Sequence, residues 1–356
     1  MKEFEIRENE AGQRLDKYLG KLLSKAPMSF VYKMLRKKNF TLNEKKAGGS
    51  ELLKTGDRVR LFLSDETFEK FCKEAGRDGE RHFSLYTGED LEKLGLSVVY
   101  EDEHILVFNK PSGMLSQRAE KEDISVNEYL IGYLLFQKVL TEEMLTTFKP
   151  AAANRLDRNT SGLILCGKSL SGLQYLSEII KNRTLEKHYR CIVEGRVCLE
   201  EISSKNPASK QTGTELVLEG YLTKDKEKNK VTIAKSPSSG GGAKELVKTG
   251  ITPIRTYGRG NKAYTELSVH LITGKPHQIR AHLAGIGHPV VGDMKYGRKN
   301  GLSEKHHVKS QLLHAYRVVF PPSSGKFAYL SGMELSGDPP LQYRKILEEL
   351  ANGNME

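Results

Sequence analysis

The stretch NRLDRNTSGLILCGKS (154–169) decides the fold, because its two halves ask for different proteins. Gly162 to Ser169 satisfies G-x-x-x-x-G-K-S, the spelling of a phosphate-cradling loop. The first half instead sets one carboxylate, Asp157, between Arg155 and Arg158, ahead of an apolar run. A phosphate loop needs four x positions that curl with their N–H groups inward, a buried strand before them and a helix after. Here those positions are Leu163, Ile164, Leu165 and Cys166, which read as strand, and the residues before Gly162 are the polar, turn-forming DRNTS. The strand lies inside the motif, so the spelling is accidental. A short carboxylate on a tight loop at the start of a core strand is held as a nucleophile or general base must be. The alternative is an aspartate that only bonds the N–H groups of its own turn, and this stretch alone supports both.

Composition narrows the partner. The 356 residues carry 56 Lys+Arg against 45 Asp+Glu, a net charge of +11, which favours a polyanion, most commonly nucleic acid. The opening MKEFEIRENEAG lacks the apolar core of a signal peptide and no run approaches a membrane span, so a cytoplasmic chain without a membrane partner is expected. The 4 cysteines form no C-x-x-C pair, which argues against a zinc site or a disulfide framework.

Charge is unevenly distributed. Residues 1–65 hold fifteen Lys/Arg and nine Asp/Glu, whereas 66–110 hold six and eleven. A basic head at 1–65, an acidic flexible linker at 66–95 and a larger domain at 96–350 are therefore expected. In the head, Leu15, Tyr18, Leu19, Leu22 and Leu23 repeat with helical period, as do Val31, Met34 and Leu35 behind Ser29 as N-cap. LLKTGDRVRLFL (52–63) turns at Thr55-Gly56-Asp57 and reads as a hairpin. Lys33, Arg36, Lys37 and Lys38 gather on the second helix, more cations than its dipole calls for. With Arg14-Leu15-Asp16-Lys17-Tyr18-Leu19, LRKKN and the LLKTGDRVRL segment, the head resembles an S4-type RNA-binding domain, a small α+β module. The resemblance implies RNA contacts from Arg14, Lys33, Arg36, Lys37 and Lys38. TLNEKKAGGSELL (41–53) departs from the usual short Val-Asn-Gly turn, so a longer loop is expected there.

Other motifs fail on context. YGRGNKA (257–263) leads into the strand-like YTELSVHLIT, whereas a dinucleotide fingerprint must open a helix. His277 and His282 are five apart, which does not bring them to one helical face around a metal. KDKEKNK (224–230) and SPSSGGGAK (236–244) read as a polar surface insertion.

Two further segments bear on Asp157. In KHYRCIVEG (187–195), Tyr189 shares a strand face with Cys191 and Val193. In GKPHQIRAHLAGIGHPVVGDMKYG (274–297), Arg280 sits among Ile279, Ala281 and Leu283, so its guanidinium is expected in a pocket. An ionised nucleophile away from water needs a cation, and an arginine fork pairs bidentately with a carboxylate.

Together these segments resemble the RluA-type pseudouridine synthases. That family's His-Arg-Leu-Asp-x-x-Thr-Ser-Gly is matched by Asn154 to Gly162, and its Lys-x-Tyr by Lys187-His188-Tyr189 with Gly195 following. Its Gly-Arg-Thr-His-Gln-Ile-Arg, with later His-Pro and Gly-Asp, is met by Gly274, His277, Gln278, Ile279, Arg280, His288-Pro289 and Gly292-Asp293. Asn154 replaces the family's histidine, and Lys275-Pro276 its Arg-Thr. The resemblance implies a catalytic core with a mixed, largely antiparallel sheet flanked by helices, an α+β fold. It implies isomerisation of uridine in RNA with no cofactor or metal, by a monomer acting on large-subunit ribosomal RNA, with transfer RNA as a second substrate class. Asp157 would attack C1′ or act as a base at the sugar, and Tyr189 would stack on the base and take part in proton transfer. Arg280 would hold Asp157 charged and fill the space vacated by the flipped nucleotide. Arg155, Arg158, His277 and Gln278 would contact RNA. The competing class is a non-catalytic RNA-binding or ribosome-assembly factor on the same scaffold.

Overall fold

The computed structural model describes residues 1–72, 83–206, 208–225, 230–234 and 245–353. They form two compact units: Met1–Phe108, Ser116–Arg155 and Ile164–Glu178 in the first, and Asn109–Leu115, Leu156–Leu163 and Ile179–Glu356 in the second.

The first unit opens with β1 (Lys2–Glu5), then α1 (Leu15–Leu22) and α2 (Met28–Arg36). Both helices bury the periodic residues, Leu15, Tyr18, Leu19 and Leu22 on one and Val31, Met34 and Leu35 on the other. The N-cap of α2 is Pro27, not Ser29 as the sequence suggested, and no side chain caps it. The strands β2 (Phe40–Leu42) and β3 (Lys45–Lys46) join through Asn43 and Glu44, both left-handed at φ 49° and 66°. Two consecutive positive φ values match a two-residue hairpin turn, so the expected longer loop is instead tight. The hairpin expected over 52–63 is also corrected: β4 (Arg58–Leu61) pairs antiparallel with β1 and β2, giving the order β1-β4-β2-β3. Val59 and Leu61 thereby join Leu15, Leu19, Val31 and Phe40 in one core.

Within the expected linker, the described ends are helical: α3 (Asp65–Phe71) is capped by Ser64, and α4 (Gly88–Lys93) by a Thr87–Asp90 capping box. Residues 73–82 lie outside the described residues, as does 236–244 of the polar insertion. The rest of the first unit comprises β5 (Ser97–Glu101), most of β6 (Ile105–Lys110), α5 (Val126–Phe136), β7 (Ala151–Ala152), the later part of β8 (Ser161–Gly167) and most of α6 (Leu170–Lys181). The unit boundaries depart from the expected divisions at 65 and 96, because the head bonds to later residues. Thr147 donates its hydroxyl to Glu10, and Leu170 N–H donates to the Asn9 carbonyl at 3.1 Å.

The second unit holds β9 (Glu186–Glu194), α7 (Leu199–Lys205), β10 (Lys210–Thr212), β11 (Glu215–Asp225), β12 (Lys230–Ala234), β13 (Glu245–Tyr257) and β14 (Tyr264–His270). It continues with α8 (Gln278–Gly285), α9 (Gly301–Lys305), β15 (Leu313–Val319), β16 (Glu334–Ser336) and α10 (Leu341–Ala351). Its sheet runs β10-β11-β13-β14-β9-β15, all antiparallel, with β12 on β11 and β16 on β15. The start of β8 adds a parallel pairing, His314 opposite Ser161 and Ala315 opposite Gly162, so the sheet is mixed and largely antiparallel, and the fold is α+β. A Cβ on Gly162 would lie 2.2 Å from the Ala315 carbonyl oxygen, and its φ is +117°. Only glycine allows that approach, so the residue serves strand packing and not phosphate binding. No helix among the described residues is long and apolar enough to cross a membrane.

Candidate active site

Every residue that follows belongs to the second unit unless stated otherwise. The Asp157 loop is pinned from several sides. Its backbone carbonyl accepts from Thr160 N–H at 3.0 Å, and the Thr160 hydroxyl accepts from Gln311 Nε2 at 3.1 Å. The Ser161 hydroxyl meets His314 Nδ1 at 2.9 Å, while His314 Nε2 bonds the Gly337 carbonyl at 2.9 Å. A neutral imidazole suits both partners, accepting from the hydroxyl and donating to the carbonyl, and burial pushes His314 down to about 4.

The Asp157 side chain is 27% exposed, enough to meet a substrate without standing in bulk water. Its Oδ2 accepts from Arg280 Nη1 at 3.0 Å and lies 3.8 Å from His277 Nε2. The Arg280 side chain is only 8% exposed and fixed on its other edge by Asp293. Nε donates to Asp293 Oδ2 at 2.6 Å and Nη2 to Oδ1 at 2.8 Å, the parallel fork that makes arginine geometrically specific. Asp293 Oδ1 also accepts the N–H groups of Lys295 and Tyr296, each at 3.0 Å. Burial alone would raise the Asp293 carboxyl, but the bonds and charge of Arg280, helped by those two N–H groups, hold it below its ordinary value. Arg280 is likewise opposed by burial and raised by its two carboxylate partners, Asp293 first.

The guanidinium of Arg280 lies over the Tyr296 ring, 5.1 Å from its centroid. The Tyr296 hydroxyl contacts His277 Nδ1 at 3.0 Å and accepts Val231 N–H at 2.9 Å. His277 is the N-cap of α8 with a left-handed backbone, φ 55°. Burial lowers its imidazole from the ordinary value, Asp157 opposes that shift, and Arg280 and Lys295 reinforce it. Tyr189 stands on β9 between Val269 and Ala315 and is buried. Burial pushes its phenol well up, and the charge of Asp157 adds to the rise, so the two groups share one environment.

The structure thus brings Asp157, Arg280 and His277 together, while Tyr189 on β9 is near enough for the charge of Asp157 to act on its phenol. Gln278 is corrected: it is 1% exposed, and its amide bonds Thr273, Thr249 and the Lys248 carbonyl, leaving nothing for RNA. The Arg280 fork is engaged by Asp293 and its remaining terminal nitrogen by Asp157. Arg158 is exposed, though its Nε donates to the Gly113 carbonyl at 3.1 Å, and Arg155, in the first unit, is exposed. Asn154, also in the first unit, accepts Leu165 N–H at 2.8 Å, so the family's histidine position here anchors β8.

Sequence reasoning missed Lys110, Asp293 and Tyr296 as site residues. Lys110 is 1% exposed, and its Nζ donates to the carbonyls of Pro111, Met114 and Arg158 at 2.9, 2.8 and 3.0 Å. It ties the turn after β6 to the Asp157 loop, where Gly113 N–H also reaches the Arg158 carbonyl at 2.9 Å. Burial pulls Lys110 down to about 7, and Asp157 counters it. Three carbonyl partners call for the ammonium form, since a neutral amine has only two hydrogens. A lone charged residue closing an apolar strand, ILVFNK, was the available signal.

A partly open carboxylate, Asp157, is held by a buried arginine whose other edge is taken by the buried Asp293. A family model described as RNA pseudouridylate synthase matches residues 104–285, and the chain belongs to that family, whose reaction is the isomerisation of uridine in RNA to pseudouridine. Among particular relatives, it is 29% identical over 90% of both chains to ribosomal large subunit pseudouridine synthase C of Buchnera aphidicola subsp. Schizaphis graminum. It is 26% identical to ribosomal large subunit pseudouridine synthase D of Borreliella burgdorferi, over 92% of this chain and 87% of that one. The solved structure of human RNA pseudouridylate synthase domain containing 4 shares the fold, with a TM-score of 0.52 and 17% identity, covering 74% of this chain and 95% of the other.

Proposed function

We propose that this chain isomerises uridines of large-subunit ribosomal RNA, with Asp157 as the group that meets the ribose. The observation that supports it best is the bonding of Arg280, two contacts to Asp293 and a third to a partly open Asp157. The reaction breaks the bond from C1′ to uracil N1, turns the base and joins C1′ to C5. C5 loses a proton and N1 gains one, so atoms and electrons balance without an oxidant. Asp157 acts at the sugar, by attack on C1′ or as a base there. Arg280 offsets its negative charge, and Tyr189 packs against the base and takes part in the proton movement. A paired uridine hides its glycosidic bond, so the nucleotide flips out at a cost of a few kcal/mol, which contacts to flanking phosphates offset.

The relatives above, ribosomal large subunit pseudouridine synthases by name, favour large-subunit ribosomal RNA over transfer RNA. The head contributes an S4-like RNA face. Lys33, Arg36, Lys37 and Lys38 are exposed, whereas Arg14 is engaged by Asp16 at 2.8 Å and has one edge left. We infer a cytoplasmic monomer as the form in which it acts.

The test uses ribosomal RNA labelled with tritium at uridine C5. The wild-type protein releases label, and Asp157→Ala abolishes release while retaining RNA binding. Undiminished release by Asp157→Ala would end the assignment. Mapping pseudouridines across total RNA from cells with and without the gene identifies the substrate, and a difference confined to transfer RNA would overturn the ribosomal reading.

A further inference from the structure

The first unit holds a cavity of about 730 Å³ that the chemistry at Asp157 leaves unused. Every residue lining it belongs to that unit, from the stretches 3–22, 68–72 and 143–147. Its size falls within the range of small-molecule sites, about 300–1,000 Å³. Part of its wall is apolar, formed by Phe4, Leu22, Phe68 and Met144, with the Phe4 and Phe68 rings stacked at 5.9 Å between centroids. The charged part runs against the character of the chain, which is net +11. Glu3, Glu5, Glu10, Glu69 and Glu143 set five carboxylates against the single guanidinium of Arg7.

Two buried groups in that wall lack the partner their chemistry calls for. Glu10 is 6% exposed, and its carboxylate accepts the Thr147 hydroxyl and the Arg7 backbone N–H, the latter at 3.2 Å. No cation among the described residues forms an ion pair with it. The Arg7 guanidinium lies 3.9 Å from Glu143 instead, and the Lys21 ammonium donates to Gln13 Oε1 at 2.9 Å. A buried carboxylate without a cation is costly to hold. Tyr18 is 2% exposed, and its hydroxyl makes no hydrogen bond among the described residues. Burial first, then the charges of Glu10 and Glu143, pushes the phenol up, so it stays a neutral hydroxyl whose oxygen can accept.

Both groups therefore await a positively charged donor. Five carboxylates repel a phosphate, which separates this cavity from any RNA face. A metal ion needs several oxygens converging on one point, and no three of these carboxylates do so among the described residues. An organic cation needs no such convergence. Its ammonium groups reach separate carboxylates while the methylenes between them cover apolar wall.

We propose that this cavity binds a linear aliphatic polyamine, with an ammonium paired to Glu10, the Tyr18 hydroxyl as a further acceptor, and methylenes against Phe4, Leu22, Phe68 and Met144. The occupant touches both the head and the segment 143–147, and so adds to the bond that Thr147 makes to Glu10. The site does not depend on the role of Asp157, since no residue of the second unit lines it.

Spermidine is the probe, titrated calorimetrically into the full-length, RNA-free protein at low salt. Wild type should show one saturable site that persists in excess magnesium chloride. Glu10→Gln should weaken it about tenfold or more, the range of a lost charge-assisted bond, and Tyr18→Phe about three- to tenfold. Glu5→Gln, on the exposed side of β1, should weaken it about two- to fivefold. Glu304→Gln, an exposed carboxylate outside the cavity, should leave it unchanged. Circular dichroism checks the fold of each variant, and if Glu10→Gln does not fold, Tyr18→Phe and Glu5→Gln decide. No saturable heat in wild type overturns the proposal. Loss of binding to magnesium, or equal weakening by all three carboxylate variants, also overturns it and marks a diffuse ion atmosphere. Binding of a hexapeptide of alternating lysine and leucine where spermidine fails overturns it too, and gives the cavity to a protein partner. Wild type that binds spermidine but releases no label from RNA defeats only the reading of Asp157.

Discussion

Arg280 grips Asp293 with two parallel hydrogen bonds, at 2.6 and 2.8 Å, and keeps its remaining terminal nitrogen for Asp157 at 3.0 Å. The buried carboxylate thus aims the guanidinium at the exposed one. Asp293→Asn should therefore reduce kcat by about 10- to 100-fold although it touches no substrate, the range for a misplacement of the order of 1 Å. Label release at saturating RNA checks this, and a kcat within twofold of wild type would show that Arg280 keeps its aim unaided.

Arg280→Lys separates charge from geometry. A lysine retains the positive charge but cannot serve both carboxylates in plane. The expected outcome is a loss in kcat of about 10²- to 10³-fold, as for removal of one preorganised donor. Arg280→Ala should in addition destabilise the fold by about 3–5 kcal/mol, because Asp293 is left buried and unpaired. Urea unfolding followed by circular dichroism measures that difference.

Lys110→Met preserves length and removes the ammonium. Three carbonyls lose their donor, including that of Arg158 beside Asp157. Bonds to a charged group contribute about 1.5–3 kcal/mol each, and the losses are not additive, so a total near 3 kcal/mol is expected. Activity should fall more than stability alone explains, measured by label release at a temperature where the variant is folded.

Acid should destabilise the protein in a window set by buried histidines. His282 meets Thr249 through Nδ1 at 2.7 Å, and burial pushes it down to about 4, as it does His314. Both groups are neutral in the fold down to that value, whereas in the unfolded chain they gain a proton from about 6.5 downward. The unfolded state thus binds more protons between about 6.5 and 4, and stability falls as pH falls through that interval, by up to about 3 kcal/mol for each histidine. His188 and His277, also lowered mainly by burial, act in the same direction. The depressed carboxyl of Asp293 titrates below this window, so its loss comes later. Unfolding free energies from pH 7.5 to 4 check the slope, and it should flatten in His282→Gln.

Asp157, Tyr189 and Arg280, proposed above as the reacting groups, each lie in a motif with a local signature: a turn before an apolar run, a strand face, a cation among aliphatics. Lys110 and Tyr296 had no such signature, since their partners Arg158 and Val231 lie 48 and 65 residues away, and the Gly-Asp pair that holds Asp293 gave no sign of its fork with Arg280. Gln278, placed against RNA by the resemblance, instead closes amide bonds to Lys248 and Thr249, partners its own motif does not reveal. Helices α1 and α2 were visible from their period. The pairing of β4 with β1 was not, because a strand's partner 57 residues earlier leaves no mark on local alternation.

The Asp157 loop is locked by Gln311, His314 and the backbone of Ala315, all contributed by the last long strand and its approach. A chain still being synthesised carries the segments around Asp157, Tyr189 and Arg280 before that lock exists. In chain order, the strand that fixes Asp157 therefore follows all three of those segments.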